Sequence, residues 1–219
     1  MIKRPKKSTV TRKWILIFTE GEETEPTYFR ELAKVLELHK ENFKVVVAGD
    51  GRHSDPAGIL KEALDEKKNR KKICRFGDQR ASYDSVWIVF DTESKGADRA
   101  PTLNDVRQKA ERMRVKVAES KPCFEIWYLL HANSTPPGCG NGKDAKTAMK
   151  KCLPDYGDDG EGAAIAAGWA LAEKRTANAI KHATRAKSAV GGAWTDVHLL
   201  VTELAKLASP AAREKLGLP

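Results

Sequence analysis

The sequence has no apolar run approaching the roughly 20 residues that a membrane-spanning helix needs. Its N-terminus is basic but leads into no apolar segment with a small-residue cleavage site, so it does not read as a secretory signal and a cytoplasmic location is expected. Cysteine is scarce: Cys74, Cys123, Cys139 and Cys152 make no C-x-x-C pair, and no histidine stands near them at zinc-ligand spacing. That argues against a disulfide framework and a structural zinc, and reduced thiols are expected. The G-x-x-x-x-G-K-[ST] string is missing, which argues against a P-loop ATPase. There are no internal repeats, and no Ser-His-Asp spacing can be read, although such triads are not recognised by sequence order.

What is present is a chain of 219 residues, 41% hydrophobic and 32% charged, enough for one globular domain with insertions or with a small subdomain. The net charge of +9 is uneven, because Lys3, Arg4, Lys6, Lys7, Arg12 and Lys13 supply six positive charges before any acid occurs. Residues 1–13 therefore read as a basic arm, either a solvated tail or a segment that neutralises phosphates.

Two acidic clusters follow β-branched, apolar runs. Trp14-Ile15-Leu16-Ile17-Phe18-Thr19 leads into Glu20-Gly21-Glu22-Glu23-Thr24-Glu25, and Val86-Trp87-Ile88-Val89-Phe90 leads into Asp91-Thr92-Glu93. Runs of this kind read as buried strands of a parallel sheet. Ligands of such sheets bind beyond the carboxyl ends of the strands, so both clusters point to one edge. Two carboxylates about 4 Å apart repel by roughly 4 kcal/mol at an effective dielectric of 20. A divalent cation relieves that repulsion, and Mg²⁺ favours a few carboxylates with water and phosphate. The pattern points to metal-dependent phosphoryl chemistry. Alone, the first cluster reads more readily as a solvated turn and the second as a strand terminated by polar residues.

Along the chain, a helix is expected from Pro26, a strand at Phe43–Ala48, a basic-tailed helix at 55–72, strands at 85–90 and 115–118, and a helix at 103–114. This alternation predicts a parallel α/β sheet with helices on both faces, spanning 14–132. The run Lys67-Lys68-Asn69-Arg70-Lys71-Lys72 fits the negative end of a helix dipole. A helical part is expected over 133–219, packed on the core. It holds a short helix at 144–152, one long alanine-rich helix at about 161–189 and a last helix at 195–208. Glu125 sits within the apolar helix expected at 122–131, and is either paired with a cation such as Lys121 or functional. His131 and His198, near helix ends, read as capping or hydrogen-bonding groups.

Ile15 to Phe29, with Glu20-Gly21 and Glu25-Pro26, resembles the first motif of the RloB family. Phe90-Asp91-Thr92-Glu93 resembles its second, Ser120 to His131 its third, and Thr195-Asp196-Val197-His198 with Leu200-Val201 its C-terminal signature. The strand-Glu and strand-Asp-x-Glu pairing is similar to Toprim domains of primases, topoisomerases and nucleases. The resemblance implies a Toprim-like sheet with a helical C-terminal part. It implies a role in bacterial antiphage defence or abortive infection, beside an ATPase of the RloA type. It also implies Mg²⁺ (or Mn²⁺) held by Glu20, Glu25, Asp91 and Glu93, with Glu20, Asp91 and Glu93 catalytic. Glu25 lies five residues after Glu20 where many Toprim domains place the acid four after, and D-x-E replaces the commoner D-x-D. One-metal and two-metal chemistry therefore both stay open. The expected activity is hydrolysis of DNA or RNA, with Lys95, Arg99, Lys109, Arg112 and Arg114 holding the backbone. The alternatives are a non-catalytic effector that binds an ATPase or nucleic acid, and nucleotidyl transfer.

Overall fold

The computed structural model describes residues 13–38, 43–47, 55–74, 83–94, 97–98, 103–132, 138–157, 159–186 and 192–219. The basic arm before Lys13, and Lys95 and Arg99, lie outside the described residues.

The two apolar runs form β1 (Ile15–Thr19), with α1 (Thr24–Val35) after it, and β3 (Ser85–Asp91). Between them lie β2 (Phe43–Val47) and α2 (Pro56–Cys74). A two-residue hairpin follows, β4 (Glu93–Ser94) with β5 (Ala97–Asp98), then α3 (Asn104–Arg112) and β6 (Lys116–Lys121). β1, β2, β3 and β6 are parallel, and β7 (Trp194–Thr195) adds a short antiparallel edge, giving the order β2-β1-β3-β6-β7.

Side-chain alternation divides the core. Leu16, Phe18, Val86, Ile88 and Phe90 pack on α2 and α3 with Ile59, Leu60 and Val106. Ile15, Ile17, Trp87 and Val89 face the other way, toward α1 and the C-terminal helices. Those helices are α4 (Glu125–Ala132), α5 (Gly142–Cys152), α6 (Gly160–Leu171), α7 (Arg175–Ala186), α8 (Val197–Ala205) and α9 (Pro210–Lys215). Both faces of the sheet are thus covered, as the continuous apolar runs of β1 and β3 require. Arg107 fastens α3 to β6 by donating from Nη2 (2.8 Å) and Nε (3.0 Å) to Glu119 Oε2.

The structure corrects several expected boundaries. The long helix at 161–189 is two, α6 and α7, broken where Glu173 and Lys174 turn left-handed (φ 51° and 60°). No Gly or Pro marks that break, so composition hides it. Thr195 belongs to β7 rather than to the last helix, with its Oγ1 2.8 Å from Ser120 Oγ. A further helix, α9, begins at Pro210 behind Ser209, whose side chain accepts from the Ala212 N–H. α1 begins at Thr24, so Pro26 is its third residue. α4 begins at Glu125, leaving Pro122 and Cys123 in the turn before it.

Candidate active site

The chain runs from β1 outward to β2, then returns past β1 to β3. Adjacent strands whose connections leave in opposite directions open a crevice at their carboxyl ends. Here that crevice lies between the ends of β1 and β3, where Glu20 and Asp91 stand. Pairing continues beyond both strands. Glu20 N–H donates to the Val89 carbonyl (2.9 Å), Thr92 N–H to Ser120 (2.8 Å) and Glu93 N–H to Pro122 (3.1 Å). The backbone carrying the acids is therefore fixed by the sheet. Asp91 N–H donates to Glu20 Oε2 at 3.3 Å, which ties the two motifs together across 71 residues of sequence.

Glu20, Glu25, Asp91 and Glu93 line one open cavity of about 630 Å³. Glu25 reaches it from the first turn of α1, with its carboxylate folded under Gly21. A Cβ on Gly21 would lie 1.9 Å from Glu25 Oε2, so only glycine leaves that space. Burial raises the Glu25 pKa to about 7, helped by the charges of Glu125 and Glu20 and opposed by backbone N–H groups of Glu25 and Gly21. Glu93 Oε2 accepts the Gly142 N–H at 3.0 Å, at the start of α5. Glu125 borders an adjoining recess together with Glu20, Glu25 and Asp91. It is buried, accepts from the Tyr156 hydroxyl at 2.6 Å and lies 3.8 Å from Lys146 Nζ. Its cation is thus Lys146 rather than the expected Lys121.

The far wall of the cavity is α5. Lys143, Lys146 and Lys150 line it opposite the carboxylates. Their spacing of i, i+3 and i+7 places them on one helix face, a signal legible in the sequence but passed over there. Arg112 and Arg114 are not part of this site. They precede β6, whereas Ser120 near its end pairs with Asp91, so about 20 Å of strand rise separates them from the acids. Cys123 also lines the cavity, but burial pushes its thiol pKa up, reinforced by the charges of Glu125 and Asp91. A thiol held protonated is a poor nucleophile. Cys123, Cys139 and Cys152 are free.

The carboxylates are hard oxygen donors, the chemistry Mg²⁺ and Mn²⁺ take. Among the described residues no three Asp, Glu, His or Cys side chains already stand as a metal-binding group. Glu20, Glu25, Asp91 and Glu93 are the acids that could hold a cation after side-chain rotation, since the Gly142 N–H occupies one oxygen of Glu93. The buried acidic surroundings of Glu25 fit such an ion, because a cation would reverse the penalty on its charged form.

Beneath the site α4 holds His131, whose Nδ1 is 2.8 Å from the Trp127 carbonyl. A carbonyl only accepts, so Nδ1 carries the proton. Burial lowers its pKa to about 4, against the opposing bonds to the Trp127 and Tyr128 carbonyls. An unfolded histidine titrates near 6.5. The unfolded chain therefore binds more protons in this window, and the His131 contribution to stability is lost as pH falls from about 6.5 to about 4. Glu25 has the opposite sign: its raised pKa costs stability as pH rises from 4.5 to about 7. Relative to the wild-type protein, the urea midpoint of His131→Gln should rise as pH is lowered through the first window. That of Glu25→Gln should rise as pH is raised through the second. A constant difference across either window would contradict the assignment.

The family model described as RloB-like protein matches residues 15–204 of the chain. No curated protein and no solved structure matches it.

Proposed function

Since the chain belongs to the RloB-like protein family, we propose that it is a Toprim-type, Mg²⁺- or Mn²⁺-dependent nuclease that hydrolyses DNA or RNA in bacterial defence against phage. The observation that carries this reading is the meeting of Glu20, Glu25, Asp91 and Glu93 around one cavity at the switch point of the sheet. Four acids are gathered from the end of β1, α1, β3 and β4, and the charge of Glu20 helps to raise the pKa of Glu25. A site for a cation and a phosphate accounts for this gathering.

In this reading Glu20, Glu25, Asp91 and Glu93 would hold the cation. A bound Mg²⁺ would supply Lewis-acid polarisation of a phosphoryl oxygen. Glu20, which accepts the Asp91 N–H, would alternatively take a proton from the attacking water. Gly21 keeps Glu25 in its recess, so Gly21→Ala should weaken Mg²⁺ binding about 10- to 100-fold, the usual cost of disturbing the support of a metal ligand. Isothermal calorimetry measures this, and an unchanged affinity would remove Glu25 from the metal site.

The test of the function is cleavage of labelled DNA and tRNA by the purified protein with Mg²⁺ or Mn²⁺, alone and with the neighbouring ATPase of the RloA type. Cleavage that stops on chelation is expected, and none under any of these conditions would sink the proposal. One observation favours a second reading, a non-catalytic effector binding an ATPase or nucleic acid: Glu93 and Glu125 already have protein partners. Under it Mg²⁺ would not bind, and Glu20→Gln would leave phage defence intact.

A further inference from the structure

The strongest positive feature facing the acids is on α5. Lys143, Lys146 and Lys150 line the cavity, whereas Lys151, on the same helix, does not. Lys150 has an ordinary structural explanation, since a cation in the last turn suits the helix dipole. Lys143 has not: it sits in the first turn, where the dipole disfavours a positive charge. Neither Lys143 nor Lys150 takes part in an ion pair among the described residues, and both are exposed. Lys146 leans toward Glu125 at 3.8 Å, which turns the middle of the row inward over the carboxylates.

The row has a useful length. Seven residues of helix rise about 10 Å. That is about three nucleotide steps at 3.4 Å per step along one strand. The helix carrying it is anchored at both ends of its buried side: Asn141 accepts the Asp144 N–H at 2.9 Å, Gly142 N–H donates to Glu93, and Ala145 and Met149 are fully buried. The helix backbone that carries the lysines is therefore held opposite the acids.

We propose that Lys143, Lys146 and Lys150 form a phosphate track that seats the sugar-phosphate backbone of a nucleic acid across the cavity, with the scissile phosphate facing Glu20 and Asp91. This deepens the nuclease reading and rests on it for the identity of the polyanion. It moves the backbone contact from Arg112 and Arg114 to α5. Lysine acts as a point charge on phosphate and reads no base, so the track should be sequence-tolerant.

Binding measured in chelator keeps this independent of metal and cleavage. Fluorescence anisotropy with a labelled DNA duplex and a labelled single-stranded RNA, between 50 and 200 mM salt, gives the slope of log K against log salt. Each neutralised phosphate contributes about 0.9 on duplex and about 0.7 on single strand. The triple variant Lys143→Gln, Lys146→Gln, Lys150→Gln should therefore lose about 2 to 3 from the slope on the polymer that is the substrate. Because Lys146 also pairs with Glu125, the double variant Lys143→Gln, Lys150→Gln provides a cleaner case and should lose about 1.4 to 1.8. Replacing all three by arginine should preserve the slope, and equal thermal midpoints would exclude misfolding. A charge-matched control, Lys109→Gln, Arg112→Gln, Lys151→Gln, should change it little. Unchanged slopes in the triple and double variants, an equal loss in the control, or no binding of either polymer by the wild-type protein would overturn the proposal. The nuclease reading fails on a separate result, absence of metal-dependent cleavage, so either can fall alone.

Discussion

Glu20→Gln is expected to lower cleavage by about 10²- to 10⁴-fold, the usual contribution of a positioned general acid or base. The substitution is nearly isosteric. The amide oxygen can still accept the Asp91 N–H now held at 3.3 Å, so the β1–β3 junction should survive. What disappears is the charge and the capacity to take a proton. Loss of a carboxylate also relieves repulsion on Glu25, whose raised pKa owes part of its shift to Glu20. Thermal stability should consequently hold or rise slightly while activity collapses, a divergence that separates catalysis from folding. Asp91→Asn should behave alike if Asp91 holds the cation. Rates close to wild type in Glu20→Gln, measured on whichever polymer is cut, would remove Glu20 from the chemistry.

Trp127→Ala should destabilise the fold by about 3 to 5 kcal/mol, the range for truncating a large buried aromatic. Trp127 is fully buried in the cluster between the sheet and the C-terminal helices. Its ring meets His131 edge-on at 4.8 Å and Tyr28 at 6.1 Å. Tyr28 in turn packs edge-on against Phe29, Phe124 and Tyr128, so one truncation opens a cavity shared by α1 and α4. For a chain of this size each kcal/mol moves the melting midpoint by about 2 to 4 °C, so a drop of about 10 °C is expected. Leu199→Ala provides the contrast: Leu199 is 47% exposed, and its loss should stay within about 0.5 kcal/mol. A Trp127→Ala midpoint within a degree or two of wild type would show that the cluster relaxes around the gap. Because α4 begins with Glu125 and follows Cys123, both bordering the site, unfolding and loss of the cavity should coincide.

β1 and β3 were legible because they are buried on both faces. Burial on both faces demands continuous β-branched and aromatic runs, and β1 and β3 have them. The acids at their ends were legible for the same reason, since a charge cannot continue such a run. The α6–α7 break was not legible. Ala172, Glu173 and Lys174 carry no turn chemistry, yet Glu173 and Lys174 take left-handed φ. β7 was missed because two residues have no periodicity to read. Arg112 and Arg114 stand at the opposite end of β6 from the acids, because charge in the sequence says nothing about which end of the sheet it faces.

By itself, then, the amino-acid order determined the α/β class, the strands β1 and β3 and which acids terminate them, because these follow from local burial and hydrogen-bonding constraints. Only the tertiary structure decided that α5 returns to cover the strand ends. It bound Glu93 to Gly142 and Glu125 to Tyr156, and set three lysines against the carboxylates. Those juxtapositions join residues up to about 130 positions apart in the chain. Only packing, which balances burial against charge over the whole molecule, can specify them.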